Sequence, residues 1–465
     1  MKKKGIIFLL GLIVVLSGWW VLYGNSDGQP SEGVIDVWVT WGDDAEPLQA
    51  LFDGYGSSND SPVKVTTRIR DDDLLEALAD GEPPDLVILS AGDPVASYHE
   101  QGLVEPLDGW IEAGGIDLDD IYPAPLAQCQ GRDGTTLCLP WGCDVDALFW
   151  NKDLFAAAGL DPERPPQTLE ELAEYASRLT VYDEEGGLAQ VGFMPDLPRS
   201  HLELYAHMFG GAFYRDGGAE LAANSQAVID ALAWQMQVYD IYTSEKLEDF
   251  VPSFTPYMTS HHPLYAGRRL SCQQCHRSLP IQNNKTPDIG FYEGKMAMMI
   301  DGQWQVGPNA LSQEGSQVNY GVALFPAPAA YPERANSAVV RGPVVIVPAG
   351  ARDREAAGQL LAWMMSPEIV AEAAYANSAL PTSRTAGRDP RFQEMAGFGV
   401  FVDLMAHANA RPSRTTPISA ELNEALGDAE ADLLQGGGDP VLMLNEIQAE
   451  LSTEWMAVLS ESGGP

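Results

Sequence analysis

Three groups of side chains in this sequence could carry chemistry: thiols beside a histidine, carboxylates, and tryptophans. Cys272-Gln-Gln-Cys275-His276 has the spacing by which a c-type haem is attached outside a membrane, through two thioethers and an axial imidazole. Met258, His261 and His262 lie near enough in sequence to supply a second ligand. The same residues fit two other uses. They can close a small disulfide loop, or hold a structural metal such as Zn on two thiolates and imidazole. Nothing around the motif resembles a complete cytochrome domain, so no cofactor is required by this reading. Among the carboxylates, no pair is set apart as an acid and a base. Asp71 to Asp73 read as a helix N-terminal charge run, and Asp119-Asp120 as a solvated turn. Neither Gly-x-Ser-x-Gly nor His-Glu-x-x-His occurs. An enzyme is therefore not expected.

Charge limits the partners. Against 27 Lys and Arg stand 66 Asp and Glu, a net charge of −39 over 465 residues. Phosphate backbones need clustered cations, and no basic stripe follows residue 4, so nucleic acid is excluded as a partner. Lys2, Lys3 and Lys4 precede an uncharged stretch from Gly5 to Gly24. As a helix it is about long enough to cross a ~30 Å hydrocarbon layer. It is an export signal or an anchor with the rest of the chain outside the membrane. The stretch ends in Trp19, Trp20 and Tyr23 without a small-x-small cleavage site, which favours a retained anchor. In an exported chain cysteines are read first as disulfides. Cys129 and Cys138 flank a turn-rich segment of hairpin type and would pair, leaving Cys143 over.

The elements that must position these residues follow a βα order. Val34 to Trp41 reads as a strand, Glu46 to Tyr55 as a helix, Val63 to Ile69 as a strand, Asp73 to Ala79 as a helix, and Asp85 to Ser90 as a short apolar strand. This is the pattern of a parallel α/β sheet, in which ligands sit beyond the carboxyl ends of the strands. That rule puts Trp41, Gly42, Asp43, Asp44 and Ser90 on one rim. Further along, Leu169 to Leu179, Asn224 to Tyr239 and Arg354 to Met365 have helical spacing, with Thr168 and Glu171 forming a capping box for the first. Val344 to Val347 is a buried strand, and Ala420 to Ser460 is helical with a break at Gly436 to Gly438. The late strand after a helix-rich middle predicts two lobes that exchange segments.

Several stretches together resemble the family 1 extracellular solute-binding proteins of ABC importers. They are Val37 to Trp41; Ala79 to Val87; Gly102 to Asp108; Leu139 to Gly142; Ala147 to Phe155; Phe209 to Gly211; Tyr292 to Met298; Asp301 to Trp304; Tyr320 to Pro326; and Leu380 to Thr382. The resemblance implies a two-lobed, periplasmic-binding-protein-like α/β fold with a hinge and an interlobe ligand cleft. It implies crossings near Asp144 to Leu148, Tyr320 to Phe325 and Ala379 to Arg384. Residues 1–24 would be the membrane anchor or signal segment and 25–33 a linker. Lobe 1 would hold 34–145 and 323–378, and lobe 2 would hold 148–319 and 382–465, with an inserted loop at about 251–290.

By the same resemblance Trp41, Trp141, Tyr214 and Trp304 are the stacking residues for a sugar, and Asp43, Asp44, Ser90 and Asp144 its hydrogen-bond partners. Arg341 with Gly342 stands where relatives often carry Gly-Gly. The implied function is an extracytoplasmic, monomeric binding protein that captures a carbohydrate or similar polar solute for an ABC permease in the membrane. The alternative is a membrane-anchored redox or sensory protein using Cys272, Cys275 and His276 for haem or metal.

Overall fold

The computed structural model describes residues 33–461, apart from 42–45, 68, 93, 132, 197–199, 216–219, 243–246, 248–249, 251–288, 307–317, 414–415, 417, 435 and 437. The anchor or signal segment at 1–24 and the inserted loop with Cys272, Cys275 and His276 lie outside these residues. Among the described residues no helix is long and apolar enough to cross a membrane.

Fourteen strands are described: β1 (Ile35–Val39), β2 (Val63–Thr66), β3 (Leu86–Leu89), β4 (Leu139–Pro140), β5 (Asp146–Asn151), β6 (Val181–Tyr182), β7 (Leu188–Gln190), β8 (Tyr214–Arg215), β9 (Glu220–Leu221), β10 (Met298–Gly302), β11 (Tyr320–Ala323), β12 (Ala338–Val340), β13 (Val344–Ile346) and β14 (Ala410–Pro412). The first sheet has the order β2-β1-β3-β13-β4. Its strands β1, β2 and β3 are parallel, as the βα pattern predicts, with helices Glu46–Asn59 and Asp71–Asp80 between them. Strands β13 and β4 come from distant sequence and run antiparallel to their neighbours, which the local pattern did not foretell.

All four residues of β3 are buried because the sheet is covered on both faces. Leu86 and Ile88 pack with Phe52 and Val345, while Val87 and Leu89 pack with Leu74 and Ile346, the two-residue period of a strand. A second sheet, β10-β5-β11, is antiparallel and packs its own core, which includes Leu148, Trp150, Tyr205, Trp234, Phe325 and Trp455. Strands β12 and β14 pair separately.

Helix Leu169–Arg178 begins as expected at Thr168, whose hydroxyl oxygen accepts the Glu171 N–H at 3.1 Å. The reciprocal arm differs. Glu171 accepts the N–H of Gln167 at 2.7 Å and pairs with Arg164, because a strong cation competes for its carboxylate. Glycine breaks the C-terminal helical stretch as predicted, giving helices Ser419–Leu434 and Pro440–Glu461.

Cys129 and Cys138 form the expected disulfide, with Cα atoms 4.9 Å apart and Gln130 paired to Thr136 between them. Cys143 is unpaired and buried, and burial pushes its thiol well up, keeping it protonated. Asp120 is not merely a solvated turn residue. Its carboxylate accepts from the Ser383 hydroxyl and from the backbone and hydroxyl of Thr385 at 3.0 and 2.7 Å. Partial burial opposes ionisation there, but these hydrogen bonds outweigh it and lower the acid's pKa.

Candidate functional site

The two sheets are joined by chain segments that run side by side. The first links β4 to β5: Cys143 exchanges backbone hydrogen bonds with Leu380 (3.0 and 2.8 Å), and Asp144 with Arg341 (2.5 and 3.2 Å). One short stretch, Cys143-Asp144, thus touches both Arg341 and the Leu380 segment. The Leu380 segment is pinned by Thr382, whose hydroxyl donates to Pro140 O at 2.8 Å and whose carbonyl accepts from Tyr122 N–H at 2.9 Å. The segments approach so closely that Gly342 is required. It holds φ +152°, and a Cβ there would lie 2.7 Å from Gly142 O and 2.8 Å from the Cys143 Cα.

The carboxyl ends of the first sheet open onto this place. Leu89 is in register with Val344, so Ser90 follows on next to Pro343, just after Gly342. Ser90 donates its backbone N–H to the Thr40 hydroxyl at 3.0 Å, which fixes the end of β3 against the end of β1 and so against half-buried Trp41. From the second sheet, β10 ends at Gly302 and turns into Gln303–Gln305. The Trp304 ring lies back over Gly302, where a Cβ would meet ring carbons at 2.3 Å. Glycine is what lets the half-buried indole lie there. Tyr292 and Asp301 brace the turn through Gln305, at 2.8 and 2.7 Å.

Of the residues singled out in the sequence, the structure gathers Asp144, Arg341 and Gly342 at the crossing, with Ser90 and Trp41 on the strand ends and Trp304 on the turn beyond β10. Asp43 and Asp44 lie outside the described residues. Trp141 is 2% exposed: its ring stacks on Phe52 at 6.2 Å and its indole N–H bonds to Met364 O at 3.2 Å. Tyr214 is likewise a core side chain, bonded to the Thr416 hydroxyl at 2.7 Å and set edge-on to Trp455. Burial raises its phenol pKa. As placed, neither ring offers a face for stacking.

Gln303, which the sequence reading passed over, is fully buried at the centre of the crossing. It accepts from Val145 N–H at 3.2 Å and donates to Asp144 Oδ1 at 2.7 Å and to Ser378 O at 3.1 Å. Its one sequence signal is its place inside the Asp301 to Trp304 stretch, which by itself assigns a glutamine no role. Among the described residues no group of three His, Cys, Asp or Glu side chains could hold a metal ion.

Two α/β sheets joined by adjacent crossings, with polar and aromatic side chains converging there, define a two-lobed binding-protein fold. Solved structures share it. A protein with mannotriose bound superposes with TM-score 0.73 at 24% identity, covering 90% of this chain and 100% of that one. The sugar-binding protein MalE of Xanthomonas citri gives TM-score 0.69 at 19% identity, covering 91% and 97%. The family of bacterial extracellular solute-binding proteins matches residues 50–399, and the chain belongs to that family. Among curated relatives, the maltotriose-binding protein of Pyrococcus abyssi is 23% identical over 73% of this chain and 63% of its own length. The sn-glycerol-3-phosphate-binding periplasmic protein of Shigella dysenteriae is 24% identical over 61% of this chain and 58% of its own. The chain thus spans about three fifths of the length of these relatives.

Proposed function

We propose that this protein is a non-enzymatic, extracytoplasmic receptor that captures an oligosaccharide or similar polar solute between its lobes and presents it to an ABC permease. The observation that carries the reading is the meeting of Asp144, Arg341 and Gly342 at the crossing between the two sheets, with Trp304 on the adjoining turn. A sugar needs this combination, an aromatic face for its C–H groups and fixed partners for its hydroxyls. Names of relatives that bind mannotriose and maltotriose support the same class. Closure about the crossing would bury the solute, and its preference for the closed form is what a permease reads.

We place the second crossing at Arg341 to Gly342. Phe325 packs on Tyr205 at 6.1 Å, Leu169 N–H bonds to Ala327 O at 3.0 Å and Val339 packs in the second core, so the chain up to Val339 associates with the second sheet, while Val340 already packs with the first. The first and third crossings are kept near Asp144 to Leu148 and Ala379 to Arg384, where Cys143 and Asp144 bridge to Leu380 and Arg341.

Thermal unfolding with a panel of mannobiose, mannotriose, maltotriose and sn-glycerol 3-phosphate tests the reading. A bound ligand at 100 times its Kd should add ~2.7 kcal/mol to stability. Absence of any shift across neutral sugars and the phosphate ester would sink it. Titration calorimetry of Trp304→Ala should then show roughly tenfold weaker binding or more, with little loss of melting temperature. Unchanged affinity would remove Trp304 from the site. Arg341 adds a second expectation. No carboxylate among the described residues pairs with its guanidinium, so Arg341→Ala should weaken an anionic ligand more than a neutral one.

A further inference from the structure

Gln303 uses its whole carboxamide at a place where a glutamine has no obvious structural need. Its oxygen takes the Val145 N–H, and its two N–H groups go to Asp144 Oδ1 and Ser378 O. These partners belong to the first crossing and to the residue just before the third. The geometry of Ser378 is itself unusual, because it is a non-glycine residue held at φ +52°. That left-handed conformation costs free energy in an L-residue and persists only where its surroundings fix it. Here the Ser378 carbonyl accepts from Gln303, and its N–H bonds to Tyr375 O at 3.2 Å. Gln303 is rooted in turn by its neighbours, since Asp301 accepts from Gly302 N–H at 2.8 Å and from Gln305. The same turn carries Trp304.

We propose that Gln303 is the positioning residue of this site: it sets the Asp144 carboxylate relative to Trp304 and ties that setting to the third crossing through Ser378. A solute that engages Asp144 is then felt at two of the hinge segments through one side-chain amide. This rests on the reading of Asp144 as a ligand contact. Asp144 is the ionisable group the amide touches; next to it along the chain and the backbone bridge stand Asp301, two residues before Gln303, Arg341, bridged to Asp144, and the Cys143 thiol beside Asp144.

The test compares Gln303→Glu and Gln303→Met with the unchanged protein, using mannotriose or maltotriose as the probe, at pH 5 and pH 8. A protonated carboxyl can donate to Asp144 Oδ1 and accept from Val145 N–H as the amide does, though it has no second proton for Ser378 O, whereas an ionised one meets Asp144 charge to charge. Gln303→Glu is therefore expected to bind within a few-fold of the unchanged protein at pH 5, the lost Ser378 bond being its only defect there, and at least tenfold more weakly at pH 8 than at pH 5. Gln303→Met is expected to be at least tenfold weaker at both pH values. Variants that change only the melting temperature, or a glutamate variant with the pH profile of the unchanged protein, would overturn the proposal. If the unchanged protein binds neither sugar nor any other ligand of the panel above, the functional reading fails, and the tie is judged separately by hydrogen exchange of the ligand-free chains. Faster exchange of peptides covering 143–146 and 378–381 in Gln303→Met, with helix Leu169–Arg178 unaffected, supports the tie. Equal exchange overturns it.

Discussion

Replacing Glu430 with glutamine should stabilise the protein at pH 8 by about 3 kcal/mol and leave it almost unchanged at pH 4. Glu430 lies on helix Ser419–Leu434 and is 3% exposed within the second core. Burial, and then the nearby Asp196 carboxylate, push its pKa up to about 7 from 4.5; Ser200 and Gln235 offset only part of this. The other groups around it are Tyr205 and Tyr239, phenols that burial also pushes well up, with Asp146 and His201 beyond Tyr205. Asp196 itself is taken up by the Tyr239 hydroxyl.

The sign follows from linkage. Below about pH 4.5 the carboxyl is protonated in both folded and unfolded chains and costs nothing. Between there and about pH 7 the unfolded chain ionises while the folded one holds its proton, so stability falls by ~1.4 kcal/mol per pH unit until the folded group ionises too. Glutamine keeps the shape without the proton equilibrium. Chemical denaturation of both chains from pH 4 to pH 8 measures it: two parallel stability profiles would show that Glu430 does not titrate in this range.

That buried acid illustrates where sequence reading stops. The helix around Glu430 is legible from its composition, yet nothing local says that this glutamate, among 66 acidic residues, faces inward against Asp196. The strands β1 and β3 and the helices between them are legible because apolar period and turn residues are local signals. The Thr168 cap is legible for the same reason. What stays hidden is set by contacts between remote segments. Trp141 and Trp304 are one residue type in equally suggestive surroundings. Only packing against Phe52 sends the first into the core, and only Gly302 gives the second its place over a turn. The crossing itself depends on Asp144 meeting Arg341 and on Cys143 meeting Leu380, pairings that no single window of sequence contains.

Asp85→Ala should cost about 3–5 kcal/mol, the largest loss expected from a single side chain outside the cores. Asp85 is 1% exposed at the start of β3, and its carboxylate gathers four donors. Oδ2 accepts from Asp36 N–H at 2.8 Å and from the Arg352 guanidinium at 3.0 Å; Oδ1 accepts from the backbone N–H groups of Arg352 and Asp353 at 3.1 and 3.3 Å. It thereby joins β1 to the segment that opens helix Arg354–Met364, whose first turn Asp353 caps by accepting from Ala356 N–H at 3.0 Å. Truncation leaves the Asp36 amide without its acceptor, in a place where water cannot replace it, and strips the partly buried guanidinium of its counter-charge. Asp85→Asn separates the two effects. Its amide oxygen can keep one pair of acceptor bonds while the NH2 group faces donors on the other side, so it should lose less than alanine but still more than a surface substitution. A denaturation midpoint for Asp85→Ala within about 0.5 kcal/mol of the unchanged protein would contradict the account, since that is the range expected of an exposed carboxylate. The affinity for solute should hardly move in either variant at temperatures where both are folded, because Asp85 sits at the amino end of its strand and the crossing lies beyond the carboxyl end.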